Sequence, residues 1–79
     1  MDIKVLGPGC RNCRRLADHV DQALASAGIS ATVEKIEDYG RLASFGIIST
    51  PALMVDGELV MAGRVPAPSQ IVELLRARA

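Results

Sequence analysis

Short apolar runs bounded by glycine and proline alternate along this chain with stretches in which apolar residues return every three or four positions, the pattern of strands interleaved with amphipathic helices. Ile3 to Leu6 reads as a strand, and Gly7-Pro8-Gly9 breaks it. From Arg11 to Ala27, the residues Cys13, Leu16, Ala17, Val20, Leu24 and Ala27 fall on one helical face, and Gly28 stands where a left-handed cap ends a helix. Ala31 to Ile36 alternates around Val33 as a second strand. Two strands joined by one crossover helix form a parallel pair with a right-handed connection in nearly all proteins, so a βαβ unit is predicted here.

Asp38 is placed to cap a short helix across Tyr39 to Phe45, with Leu42 and Phe45 inward and Gly46 at its end. Ala52 to Val55 and Glu58 to Met61 flank Asp56-Gly57, a dipeptide that tolerates positive φ at both turn positions and therefore predicts an antiparallel hairpin. Pro68 suits the first turn of a last helix, in which Ile71, Leu74 and Leu75 form an apolar stripe above Gln70, Glu73 and Arg76. Ala67 is a poor N-cap, so this helix is expected to fray at its start. The predicted order is β-α-β-α-β-β-α, with no linker or internal repeat.

Composition narrows the function classes. At 79 residues the chain has room for one domain, near the size at which a single core barely outweighs the entropy of ordering it. With 49% apolar residues but only Tyr39 and Phe45 as aromatics, the core must be aliphatic. Nine Lys plus Arg balance nine Asp plus Glu, which removes the electrostatic case for a nucleic-acid binder or a membrane-surface protein. The N-terminal stretch lacks the apolar core, about 7 to 15 residues, of a signal peptide, and no run approaches the ~18 apolar residues of a membrane span. A cytoplasmic location is the expectation.

Cys10-Arg11-Asn12-Cys13, set where the first strand gives way to a helix, carries the candidate chemistry. On the loop-entropy model, closing so short a loop stabilises the fold by about 2 kcal/mol, little for a structural staple. In a reducing compartment such a pair points instead to redox chemistry or to metal ligation. No GxxxxGK[ST] pattern accompanies Gly7-Pro8-Gly9, which reads as backbone geometry bringing Cys10 to the surface. His19 lies off the apolar stripe and reads as a solvated surface residue, as do Arg11, Arg14 and Arg64. Met54 and Met61 read as core residues of the hairpin rather than metal ligands.

The element order, with Cys10 and Cys13 after the first strand and Thr50-Pro51 before the third, resembles the minimal thioredoxin/glutaredoxin fold. That resemblance implies an α/β protein with a four-stranded mixed sheet flanked by three helices, one thioredoxin-like domain over residues 1–79. Within that superfamily, Leu6-Gly7-Pro8-Gly9-Cys10-Arg11-Asn12-Cys13, Ser49-Thr50-Pro51-Ala52-Leu53, Val55-Asp56-Gly57 and Ala62-Gly63-Arg64-Val65-Pro66 are similar to the small thioredoxin-like proteins known as redox-active disulfide protein 2. It also implies a cis bond before Pro51, a substrate segment pairing with the backbone of Thr50, and a flavin-dependent disulfide reductase as electron donor.

Physical chemistry assigns roles to the two thiols. Unpaired N–H groups and the dipole at a helix N-terminus favour a thiolate, which makes Cys10 the expected nucleophile. Cys13, one turn further on the apolar face, is the expected resolving thiol, which breaks the mixed disulfide between Cys10 and substrate. Thioredoxins place Trp before the first Cys and Gly-Pro between the pair, where this chain has Gly9 and Arg11-Asn12, and glutaredoxins carry a Gly-Gly that Met61-Ala62-Gly63-Arg64 lacks. Counting back from Cys10, Lys4 falls where thioredoxins hold a buried carboxylate that aids proton transfer, so no proton acceptor for Cys13 is evident. The predicted function is thiol–disulfide exchange on protein or small-molecule disulfides through Cys10 and Cys13, with no cofactor and no resident metal. A carrier of Cu(I), Zn or As(III) held by the same thiolates is the alternative, and a pure interaction module is a third.

Overall fold

A computed structural model of the chain describes residues 1–47 and 49–78. The elements follow the predicted order: β1 (Asp2–Leu6), α1 (Arg11–Ala27), β2 (Thr32–Ile36), α2 (Tyr39–Ser44), β3 (Ala52–Val55), β4 (Glu58–Ala62) and α3 (Pro68–Arg76). The strands form one mixed sheet in the order β2-β1-β3-β4. β1 runs parallel to β2 and antiparallel to β3, and β3 is antiparallel to β4.

Strand periodicity divides the apolar residues between two faces. Ile3, Val5, Leu53 and Val55 point to one side, where Leu16, Ala17, Val20 and Ala23 of α1 and Ile71 and Leu75 of α3 cover them. Leu6, Ile36, Ala52 and Met54 point to the other, covered by Leu42 of α2 with Phe45 packed alongside. Each fully buried Leu, Ile or Val contributes roughly 1.5–3 kcal/mol. All of these core residues are aliphatic or sulfur-bearing, as the scarcity of aromatics requires.

Several boundaries and local contacts differ from the sequence-based expectation. β2 starts at Thr32 rather than Ala31, because ladder pairing begins only where Thr32 meets Asp2. α2 stops at Ser44, and Phe45 caps it instead of continuing it; Asp38 accepts from the Arg41 N–H at 2.9 Å at the other end. β4 runs on to Ala62, with a bulge opposite Leu53 and Met54 that shifts its register. The Asp56-Gly57 turn has φ of 51° and 83°, the doubly positive turn expected of that dipeptide. α3 is secured at its start despite Ala67, because Gln70 Oε1 accepts from the Ala67 N–H at 2.9 Å.

Candidate active site

Cys10 is the N-cap of α1 and is exposed. Gly9, with φ of 84°, turns the chain so that Cys10 precedes the helix in an extended conformation. Its sulfur accepts from the Cys13 N–H at 3.3 Å, one of the donors that the helix itself leaves unused. A thiolate in this place is met by that same N–H and by the positive end of the dipole of α1. Cys13, in the first turn on the inward face, is only 5% exposed. The two residues are joined as a disulfide, with Cα atoms 5.0 Å apart.

Three chain segments pack in succession next to Cys13, the first of them against its sulfur. A Cβ built on Gly7 would overlap the Cys13 sulfur, stand 3.2 Å from Cys13 Cβ and lie 3.7 Å from Thr50 Cβ. Gly7 thus supplies the space that the buried sulfur fills. The Thr50-Pro51 peptide bond is cis, with Thr50 exposed and Pro51 buried. Gly63 donates to the Pro51 carbonyl at 2.8 Å, which brings the segment after β4 against the same loop. Cys10, Cys13, Thr50 and Pro51 therefore meet at one end of the sheet.

A cavity of about 200 Å³ opens beside the buried sulfur and is lined by Val5, Gly7, Gly9, Cys13, Arg14, Ala17, Lys35 and Glu37. Two expectations are corrected here. Lys4 does not face Cys13: it stands on the α2 side of the sheet next to Leu6 and pairs with Asp2 at 2.6 Å, while Val5 is the β1 residue that faces the cavity. Arg14 is exposed, as expected, and also lines the cavity and donates to the Gly9 carbonyl at 3.1 Å. His19, the second correction, is half-buried rather than free in solvent, with Nδ1 2.8 Å from the Pro66 carbonyl oxygen across the α1–α3 side. Arg11 and Arg64 are exposed as expected, and Arg64 Nε donates to the Met61 sulfur at 2.8 Å.

Lys35 and Glu37 reach the cavity from a part of the chain far from the Cys10–Cys13 motif. A signal for them was present in the period of β2: Val5 pairs with Lys35, so Lys35 and then Glu37 share the α1 face, while Ile36 between them turns to the other.

The model of a thioredoxin domain family matches residues 1–76 of this chain. The chain belongs to that thioredoxin domain family. It is 37% identical over 75 residues to a thioredoxin of Methanothermobacter thermautotrophicus, an alignment covering 95% of this chain and 97% of that one. A thioredoxin of Methanocaldococcus jannaschii is 30% identical over 74 residues, covering 94% of this chain and 85% of its own length. In fold, the chain superposes with a TM-score of 0.74 on a malaria parasite thioredoxin-2, described as a component of that parasite's protein secretion machinery, at 11% identity over 96% of this chain and 81% of that one. With its joined Cys10–Cys13 pair, this thioredoxin domain is a thiol–disulfide oxidoreductase. Among the described residues no helix is long and apolar enough to cross a membrane.

Proposed function

We propose that this protein exchanges disulfides with protein substrates, Cys10 attacking and Cys13 resolving. The observation that carries the proposal is the asymmetry of the pair: Cys10 is exposed at the start of α1, whereas Cys13 is 5% exposed behind it. Only the first sulfur is open to a partner of protein size. Its thiolate attacks the substrate disulfide, forming a mixed disulfide and releasing one substrate sulfur. The Cys13 thiolate then attacks the Cys10 sulfur, which closes the Cys10–Cys13 bond and releases the second substrate sulfur as a thiolate.

Thr50 and Pro51 form the substrate-docking edge in this proposal. Thr50 is exposed and its Cβ lies beside Gly7, so its backbone is placed to pair with an extended segment carrying the target cysteine, in the manner of an added strand. Proline contributes no N–H at the next position, leaving that edge open. In this reading a flavin-dependent disulfide reductase returns electrons to the pair, the protein works in the cytoplasm as a single domain over residues 1–79, and it is one of the redox-active disulfide protein 2 group that its loop motifs resemble.

The test is a redox titration of the metal-free protein in defined thiol buffers, with free thiols trapped and the intact chain weighed. A single two-electron transition between about −180 and −280 mV is expected. Failure of the pair to close across that range, or stoichiometric metal binding that abolishes the redox response, replaces the proposal with the soft-metal carrier.

A further inference from the structure

The resolving step requires Cys13 to give up a proton, and Cys13 is 5% exposed. Sequence position suggests no acceptor, because β1 turns Val5 toward Cys13 and turns Lys4 away to Asp2. An acceptor does reach the same cavity from the neighbouring strand. Gly7 donates to the Ile36 carbonyl at 2.9 Å, which holds the end of β2 against the loop before Cys10. The next residue, Glu37, lies over that loop: its Oε2 is 2.6 Å from the point where a Cβ on Gly9 would stand. Gly9 leaves the carboxylate room to lie there, as Gly7 leaves room for the Cys13 sulfur. The cavity between them, about 200 Å³, has space for water, and both Cys13 and Glu37 line it.

We infer that Glu37, delivered from β2 across the cavity, accepts the proton of the Cys13 thiol during resolution of the mixed disulfide. This rests on the thiol–disulfide exchange assigned above. In the step, Cys13 S–H passes its proton through cavity water to the Glu37 carboxylate. The resulting thiolate attacks the Cys10 sulfur, forming the Cys10–Cys13 bond. The bond between Cys10 and the substrate sulfur breaks, and its electron pair leaves with the substrate as a thiolate. Glu37 is exposed at the cavity mouth, so the protonated carboxyl returns its proton to bulk solvent before the next turnover.

Besides Glu37, the charged groups facing this cavity are Arg14 from α1 and Lys35 from β2, while β1 contributes Val5 alone. Neither cation can accept a proton from a thiol at neutral pH. Glu37 is thus the one proton acceptor among the described residues lining the cavity.

Two-phase kinetics test the assignment. The reduced protein is mixed with an aromatic disulfide whose thiolate product is coloured; the first release reports attack by Cys10, the second reports resolution by Cys13. Glu37→Gln is expected to leave the first phase unchanged and slow the second by at least about tenfold at neutral pH, the low end of what a positioned base contributes. Its second phase should rise with hydroxide concentration across the range in which the wild type is flat. Lys35→Gln, which removes a cavity charge but no acceptor, should keep the flat wild-type profile. Glu37→Gln slowing both phases equally, or leaving the second-phase pH profile as in the wild type, overturns the assignment, as does loss of the flat profile in Lys35→Gln. Absence of both releases in the wild type overturns the thiol–disulfide exchange itself, so the two failures are distinct.

Discussion

Gly7 yields its side-chain space to Cys13: a Cβ built on Gly7 would fall on the Cys13 sulfur. Gly7 is not among the positive-φ residues, so the constraint is steric rather than conformational. Gly7→Ala is therefore expected to destabilise the oxidised protein by about 1–3 kcal/mol, the range for overpacking a tight interior. Urea midpoints of oxidised wild type and variant measure it. A midpoint unchanged from wild type would falsify the close approach.

The different exposure of the two sulfurs sets their behaviour in single variants. Cys13→Ser should accumulate a stable mixed disulfide through Cys10 with a protein substrate, visible as an added mass that a small thiol removes. Cys10→Ser should form none and should lose disulfide exchange altogether. In the reduced wild type, an alkylating reagent should modify Cys10 far ahead of Cys13, as mass mapping of partially labelled chains will show. Equal labelling of both thiols contradicts the assigned order.

His19 joins α1 to the segment before α3 through its Nδ1–H and the carbonyl of the buried Pro66. His19→Ala removes the donor and leaves that carbonyl unpaired, at an expected cost of about 1–3 kcal/mol. Because this contact is separate from the Cys10–Cys13 end, the rate of disulfide exchange should stay at the wild-type value at temperatures where the variant is folded. A thermal melt and an exchange assay on the same preparation separate the two effects.

Asp38 holds the first turn of α2 by accepting from the Arg41 N–H. Asp38→Ala should cost about 1 kcal/mol and Asp38→Asn much less, since asparagine caps nearly as well. The α2 side is covered by a smaller cluster than the α1 side, so loosening should show first as faster amide exchange around Leu42. Equal loss of stability in both variants would point to the charge of Asp38 rather than to its cap.

Local features of the chain carried most of the architecture. The spacing of Leu16, Ala17 and Val20 defines α1, and Gly28 closes it, its N–H donating to the Leu24 carbonyl. Asp56-Gly57 dictates the hairpin because its doubly positive φ is a property of those two residues alone. Cys10 at the start of α1 was readable for the same reason, since a helix N-terminus and its unused donors are local.

What the sequence could not decide was which residue faces Cys13. Counting back along the chain nominated Lys4, but the side-chain period of a strand is two, and the pairing of β1 with β2 and β3 puts Val5 on the α1 face and Lys4 on the other. The same parallel register carried Lys35 and Glu37 from a separate strand to the cavity, and the contact of His19 with Pro66 joins residues 47 positions apart. The sequence by itself determined the elements, their order and the position of the reactive pair, because capping, turn geometry and periodicity act within a few residues. The groups that surround Cys13 were decided only by tertiary structure, because strand register and helix packing, which bring distant residues face to face, are set by burial over the whole core.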